Sequence, residues 1–127
     1  MNRAIRKKLI EMAHTGEPYI SYQALTDLLD LGYNMSIEYD RARIGEDLGE
    51  VSTYEHNQGR PLLSALVLHK QTKYQGDGFF KLCEELELGA GRSWEKLKKD
   101  KEFEKKCRED NFEFWKDKSN YQNYKDD

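Results

Sequence analysis

The feature that most constrains the fold of this chain is the run Leu62-Leu63-Ser64-Ala65-Leu66-Val67-Leu68-His69. It is eight positions without a formal charge in a sequence where 35% of residues are charged. The run is bounded by Pro61 and by the polar stretch Lys70 to Gln75. It is too short for a free-standing helix, and its apolar residues are successive rather than alternating, which predicts a strand buried on both faces. Such a strand needs a layer on either side, so the flanking segments must supply apolar stripes to cover it.

They supply narrow ones. With 127 residues and 37% hydrophobic content, the chain is sized for one domain with a single core, whose helices bury one stripe each. Ile5, Leu9, Met12 and Ala13 form the first stripe, stopped by Gly16-Glu17-Pro18. Tyr19-Ile20 reads as a short extended piece. Ser21 is placed to cap a second helix with Tyr22, Leu25, Leu28 and Leu29 on its inner face, ended at Gly32. Ser36 is placed to cap a third, carrying Ile37, Ile44, Leu48 and Val51 and breaking at Asn57-Gln58-Gly59. Gly45 and Gly49 lie inside that helix with Ser52 completing their row, which predicts a face where another backbone comes close, or else tolerated weakness.

After the apolar run, Asp77 or Gly78 opens a helix with Phe79, Leu82, Cys83 and Leu86 inward, stopped by Gly89-Ala90-Gly91. Ser93 caps one further charged helix or a pair, anchored by Trp94, Leu97, Phe103, Cys107, Phe112 and Trp115. The expected fold is α+β and mostly helical: a winged helix-turn-helix-like core with a small sheet and extra C-terminal helices. Residues 1–117 form the single domain, and residues 118–127 a polar, frayed tail.

Charge is unevenly placed. Residues 1–14 hold four basic and one acidic side chain, and residues 15–60 three basic and nine acidic, within a total charge of −3. An acidic middle opposes non-specific binding to phosphates. No apolar run is long enough to span a bilayer, and Met1 to Lys8 lacks the apolar block of a signal peptide, so the expected location is cytoplasmic, away from membranes. Cys83 and Cys107 stand alone without a C-x-x-C spacing or a histidine pair, which predicts buried free thiols and neither a metal nor another cofactor.

The order of helix, short extended piece, short helix, longer helix, strand and glycine loop matches a winged helix-turn-helix, in which the third helix faces a nucleic-acid groove. Particular residues add a resemblance. Ser21-Tyr22-Gln23-Ala24-Leu25, Ala42-Arg43-Ile44-Gly45, the apolar segment ending in His69-Lys70, and Tyr74-Gln75-Gly76-Asp77-Gly78-Phe79 resemble the DNA-binding half of the alkylguanine DNA alkyltransferases and their cysteine-lacking alkyltransferase-like relatives. The resemblance spans residues 19–80. It implies that Tyr22 matches the tyrosine opening the second helix of the winged motif, and Arg43 the arginine that enters the duplex. His69 then matches the histidine that activates the thiol, and Lys70 the arginine after it. Leu68 stands where the family has its cysteine and Val67 where it has proline, and the interval from Arg43 to His69 is longer by about two helical turns. Without a thiolate there is no nucleophile for alkyl transfer, so only the binding half carries over. A Gly-Arg-Pro-led apolar segment followed by Gly-x-Gly-Phe-Phe is also similar to small bacterial and phage proteins.

Three functions are therefore open. The first is a non-catalytic nucleic-acid-associated module, with DNA or RNA contacted by Tyr22, Arg43, Lys70 and Lys73. The second is a small acidic inhibitor, immunity or anti-defence protein that covers a basic protein such as a toxin or nuclease with Glu46, Asp47 and Glu50. The third is a phosphodiesterase or nuclease using His69, Lys70, His56 and Asp77 as acid and base groups. His14, at the end of the first helix, is accounted for by the dipole there.

Overall fold

The computed structural model describes residues 1–127 as seven α-helices, one 3-10 turn and a two-stranded parallel sheet. Helix α1 is Arg3–Thr15, strand β1 Ile20–Ser21, and α2 Tyr22–Leu28. Helix α3 is Glu38–Asn57; the 3-10 turn is Leu63–Leu66, followed by strand β2 at Val67–Leu68. Then come α4 (Asp77–Glu85), α5 (Trp94–Lys99), α6 (Lys101–Lys116) and α7 (Lys118–Tyr124). No helix is long and apolar enough to cross a membrane.

Local signals account for most boundaries. The Asn2 side chain accepts from Ile5 N at the start of α1, and Gly16, at φ +88°, closes its end with a bond to Met12 O. Ser21 accepts from Ala24 N and starts α2; Ser93 accepts from Lys96 N and starts α5. The charged C-terminal stretch is two helices before α7, because Asp100 takes an extended conformation and its side chain accepts from Phe103 N. Two expected caps differ. Helix α2 ends at Leu28, which is 55% exposed, with Asp30 already at φ +53° before Gly32 is reached. Ser36 donates to Asn34 Oδ1 instead of capping α3, which starts after Ile37 without a side-chain cap, and Ile37 is 48% exposed.

The apolar run is buried throughout, but it is not a strand from end to end. Leu63–Leu66 coils as a 3-10 turn, and only Val67 and Leu68 extend. Three residues per turn explain the two-sided burial. Leu62 and Ala65 face one cluster with Phe79, Phe80, Cys83 and Leu97. Leu63, Leu66 and Val67 face the other, with Ile5, Leu9, Ile44, Val51 and Trp115. A two-sided strand and a 3-10 turn leave the same hydrophobic trace in the sequence, so the run is consistent with either.

The sheet is a parallel pair in the register Ile20↔Val67 and Ser21↔Leu68. Beyond it, residues 69–74 form a tight loop closed by His69 N to Tyr74 O at 3.0 Å and Lys73 N to His69 O at 2.8 Å, with Lys73 at φ +60°.

Residues 118–127 depart from the expected frayed tail. Helix α7 stacks Tyr121 on His14 at 3.7 Å between ring centroids, while His14 Nδ1 donates to Trp115 O at 2.9 Å. The carbonyl end of α7 meets two buried arginines. Arg6 donates to Tyr124 O and Lys125 O, both at 2.9 Å, and Arg60 Nη1 reaches Asp127 Oδ2 at 2.7 Å. The same arginines grip Glu55, with Arg6 Nε and Arg60 Nε each 2.5 Å from one of its carboxylate oxygens. Glu55 has no exposed surface, so this carboxylate is viable only with both cations in place. A guanidinium at a helix C-terminus also suits the negative end of the dipole.

Glu55→Ala leaves two guanidiniums buried without their shared anion. The expected loss is about 3–5 kcal/mol of unfolding free energy, measured by urea denaturation.

Candidate groove between α2, α3 and the loop after β2

The parallel register has a direct chemical result. Because Ser21 lies opposite Leu68, the next residues on each side, Tyr22 and His69, come out together at the mouth of one groove. Their rings stand 5.1 Å apart, tilted by 51°. The groove has a volume of about 720 Å³ and runs between the start of α2, one face of α3, the 69–76 loop and α4. Its floor is Ile44, Leu48, Phe79 and Leu82, and its rim carries Gln23, Arg41, His69 and Lys70.

The loop wall is stapled in place by Gln75, which is buried. Its Nε2 donates to Ser64 O at 3.1 Å and Ala65 O at 2.9 Å, and its backbone N donates to Glu104 Oε1 at 2.7 Å. Tyr22 Oη donates to Gln75 Oε1 and accepts from Gly76 N, each at 3.5 Å. Gly76 is needed for close approach, since a Cβ there would sit 3.1 Å from His69 Nε2. Burial holds the Tyr22 phenol pKa above its ordinary value. At neutral pH it is therefore a neutral donor.

Arg41, Gly45 and Gly49 follow at intervals of four and lie on one face of α3, which is the face turned to the groove. Nothing lies within 4 Å of where a Cβ would stand at either glycine, so no backbone approaches them as one sequence reading expected. The close approach occurs one turn on, at Ser52, whose Oγ donates to Ser64 Oγ at 2.7 Å and accepts from Ser64 N at 3.0 Å. The glycines instead leave the groove floor open.

No carboxylate lines the groove, although the chain is acidic overall; Arg41 and Lys70 are its charged residues. The acids of α3 lie elsewhere. Asp47 accepts from Tyr33 Oη at 3.0 Å, which raises the Tyr33 pKa, while Glu50 meets the Met1 amine at 3.5 Å and Glu46 is exposed without an ion pair.

Of the nucleic-acid residues expected from sequence, Tyr22 and Lys70 meet here and Arg43 and Lys73 do not. Arg43 lies over the Tyr33 ring at 4.9 Å and the Tyr39 ring at 5.7 Å, beside Asp47 and off the groove. Lys73 sits in the exposed loop turn. The acid–base set disperses as well. His56 is in the last turn of α3 and does not line the groove, and Asp77 is paired with Lys98, which holds its carboxyl below the usual range. Arg41, Gln75 and the open glycines were not singled out as site residues, although the Arg41-Gly45-Gly49 spacing carried the signal for one helix face.

Gly45→Ala is expected to raise unfolding free energy by up to about 1 kcal/mol through helix propensity, since the new methyl meets nothing. Thermal denaturation checks it. A second expectation follows from Tyr22. Its raised folded pKa means that the unfolded chain loses this proton first, so the contribution is full below about pH 10 and falls as pH rises further. The stability difference between wild type and Tyr22→Phe should thus be flat at neutral pH and shift against wild type above about pH 10, read by denaturant titration across pH.

No family model matches the chain, and neither does any curated protein or solved structure.

Proposed function

We propose that the chain is a non-catalytic binding module of winged-helix type that associates with nucleic acid through the groove beside α3. The observation that carries this reading is electrostatic. In a chain of net charge −3, this groove presents Arg41 and Lys70 and no carboxylate, next to an apolar floor and the Tyr22–His69 ring pair. Cations at a rim suit phosphates, and flat rings beside an apolar floor suit bases. The resemblance to the binding half of the alkyltransferase-like proteins agrees for Tyr22, His69 and Lys70, which share this groove, and weakens for Arg43, which is held by two tyrosines. In this reading Arg41, whose Nη1 also donates to Met35 O at 2.8 Å, supplies the cation on α3.

The test is a fluorescence-anisotropy titration with labelled duplex and single-stranded oligonucleotides at low salt. Binding is expected, and Arg41→Ala or Lys70→Ala should each reduce the log–log salt slope by roughly 0.7 to 0.9. Failure of every oligonucleotide to bind at low salt overturns the reading.

One observation favours a second reading, that of a small acidic protein which binds a basic partner. Glu46 and Glu50 project from α3 on the side away from the groove, half of a surface suited to a cationic protein. Co-elution with a basic nuclease that is lost in Glu46→Lys/Glu50→Lys would support it.

A further inference from the structure

We infer that the groove takes an unpaired single strand of nucleic acid and that α3 excludes the duplex. The inference rests on the reading above and names which form of nucleic acid it concerns.

Two faces of one helix carry the argument. A helix seated in the major groove of a duplex runs between two phosphate backbones, so its outward surface must be neutral or basic. The outward surface of α3 presents Glu46 and Glu50, both exposed. The one arginine on that surface, Arg43, lies exposed over the Tyr33 and Tyr39 rings and is outnumbered by Glu46, Asp47 and Glu50. Inserting this surface between two strands of phosphate sets like charges against each other on both sides.

The groove-facing side of α3 is the reverse. From Arg41 to Gly49 it shows one cation, two glycines and the apolar Ile44 and Leu48. Across from it stand Lys70, His69 and Phe79. A volume of about 720 Å³ falls within the range of ligand pockets, roughly 300 to 1,000 Å³. That is room for bases turned in from a flexible strand and too little for a double helix.

The pattern of contacts also sets the energetics. Two rim cations can neutralise two phosphates, so the salt dependence should be shallow, with a slope of about −1.4 from roughly −0.7 per contact on a single strand. Affinity then depends mainly on bases stacking on Tyr22, His69 and the floor. The open positions at Gly45 and Gly49 fit this requirement. Each lowers helix propensity and meets no neighbour, and any larger side chain would project into the space where a base would lie.

The experiment compares a labelled single-stranded oligonucleotide of about 16 nucleotides with its own duplex, by anisotropy over a salt series. Expected results are at least about tenfold tighter binding to the single strand and a slope near −1.4. Gly45→Leu should weaken single-strand binding by about tenfold or more, with circular dichroism and the thermal midpoint confirming a folded protein. Glu46→Lys/Glu50→Lys gives an independent readout at positions outside the groove: duplex affinity should rise by about tenfold, and single-strand affinity by clearly less. Equal or tighter binding to the duplex by wild type overturns the inference and leaves the nucleic-acid reading standing. Unchanged single-strand binding by a folded Gly45→Leu also overturns it. If neither form binds, this inference and the reading beneath it both fall.

Discussion

The segment Leu62–Leu68 is shared by both cores, and the rest of the molecule is arranged around that fact. One side of its 3-10 turn closes on α1, α3 and Trp115, and the other on α4 and α5. A short chain with 37% hydrophobic residues has little apolar surface to spare, and a segment buried on two sides places Leu62 and Ala65 in one packing layer and Leu63, Leu66 and Val67 in the other. The backbone polar groups left over by so short a turn find side-chain partners. Ser52 takes Ser64 N, Asn111 donates to Leu62 O, and Gln75 donates to Ser64 O and Ala65 O. Burying a polar backbone without such partners would cost about as much as the apolar contacts gain.

The same polar accounting builds the groove. Gln75 is fixed by the carbonyls of the 3-10 turn, and through Gly76 and Tyr22 it fixes the loop that carries His69 and Lys70. The groove wall is thus an extension of the core rather than a free loop. On the opposite wall, α3 is held by Ile44, Leu48 and Val51 and, at its far end, by the Glu55 ion cluster. Both walls are anchored, so the groove is preformed, which lowers the ordering cost of any ligand it takes.

Much of the helical layout was legible. The stripe Ile5, Leu9, Met12 and Ala13, the caps at Ser21 and Ser93, and the stop at Gly16 involve partners three or four residues apart, and such spacing leaves a periodic trace. The strand reading of Leu62–Leu68 was half right, because burial on both sides does not distinguish an extended segment from a 3-10 turn. The frayed-tail reading failed for another reason. The only aromatic residues of α7, Tyr121 and Tyr124, make too short a stripe to signal packing, and the helix is held by their stacking on His14 and Phe114 together with its backbone carbonyls bonded to Arg6. Of the four residues grouped from the sequence as one set, Tyr22 and Lys70 line the same groove, whereas the diversion of Arg43 to Tyr33 and Tyr39 was not legible.

The amino-acid order alone determined the helical segments that carry an apolar stripe, the starts at Ser21, Asp77 and Ser93, and that the Leu62–Leu68 run is interior, because these follow from local hydrogen bonding and from the hydrophobicity of adjacent residues. Only the tertiary structure decided that Ser21 pairs with Leu68, which sets Tyr22 beside His69, and that Arg6 reaches the end of α7 more than a hundred positions away. It also decided that the face of α3 with Arg41, Gly45 and Gly49 turns to the groove, while Glu46 and Glu50 lie off it and Glu55 is buried. Contacts between distant segments depend on how separate stripes pack together, and no periodicity within a single segment records that.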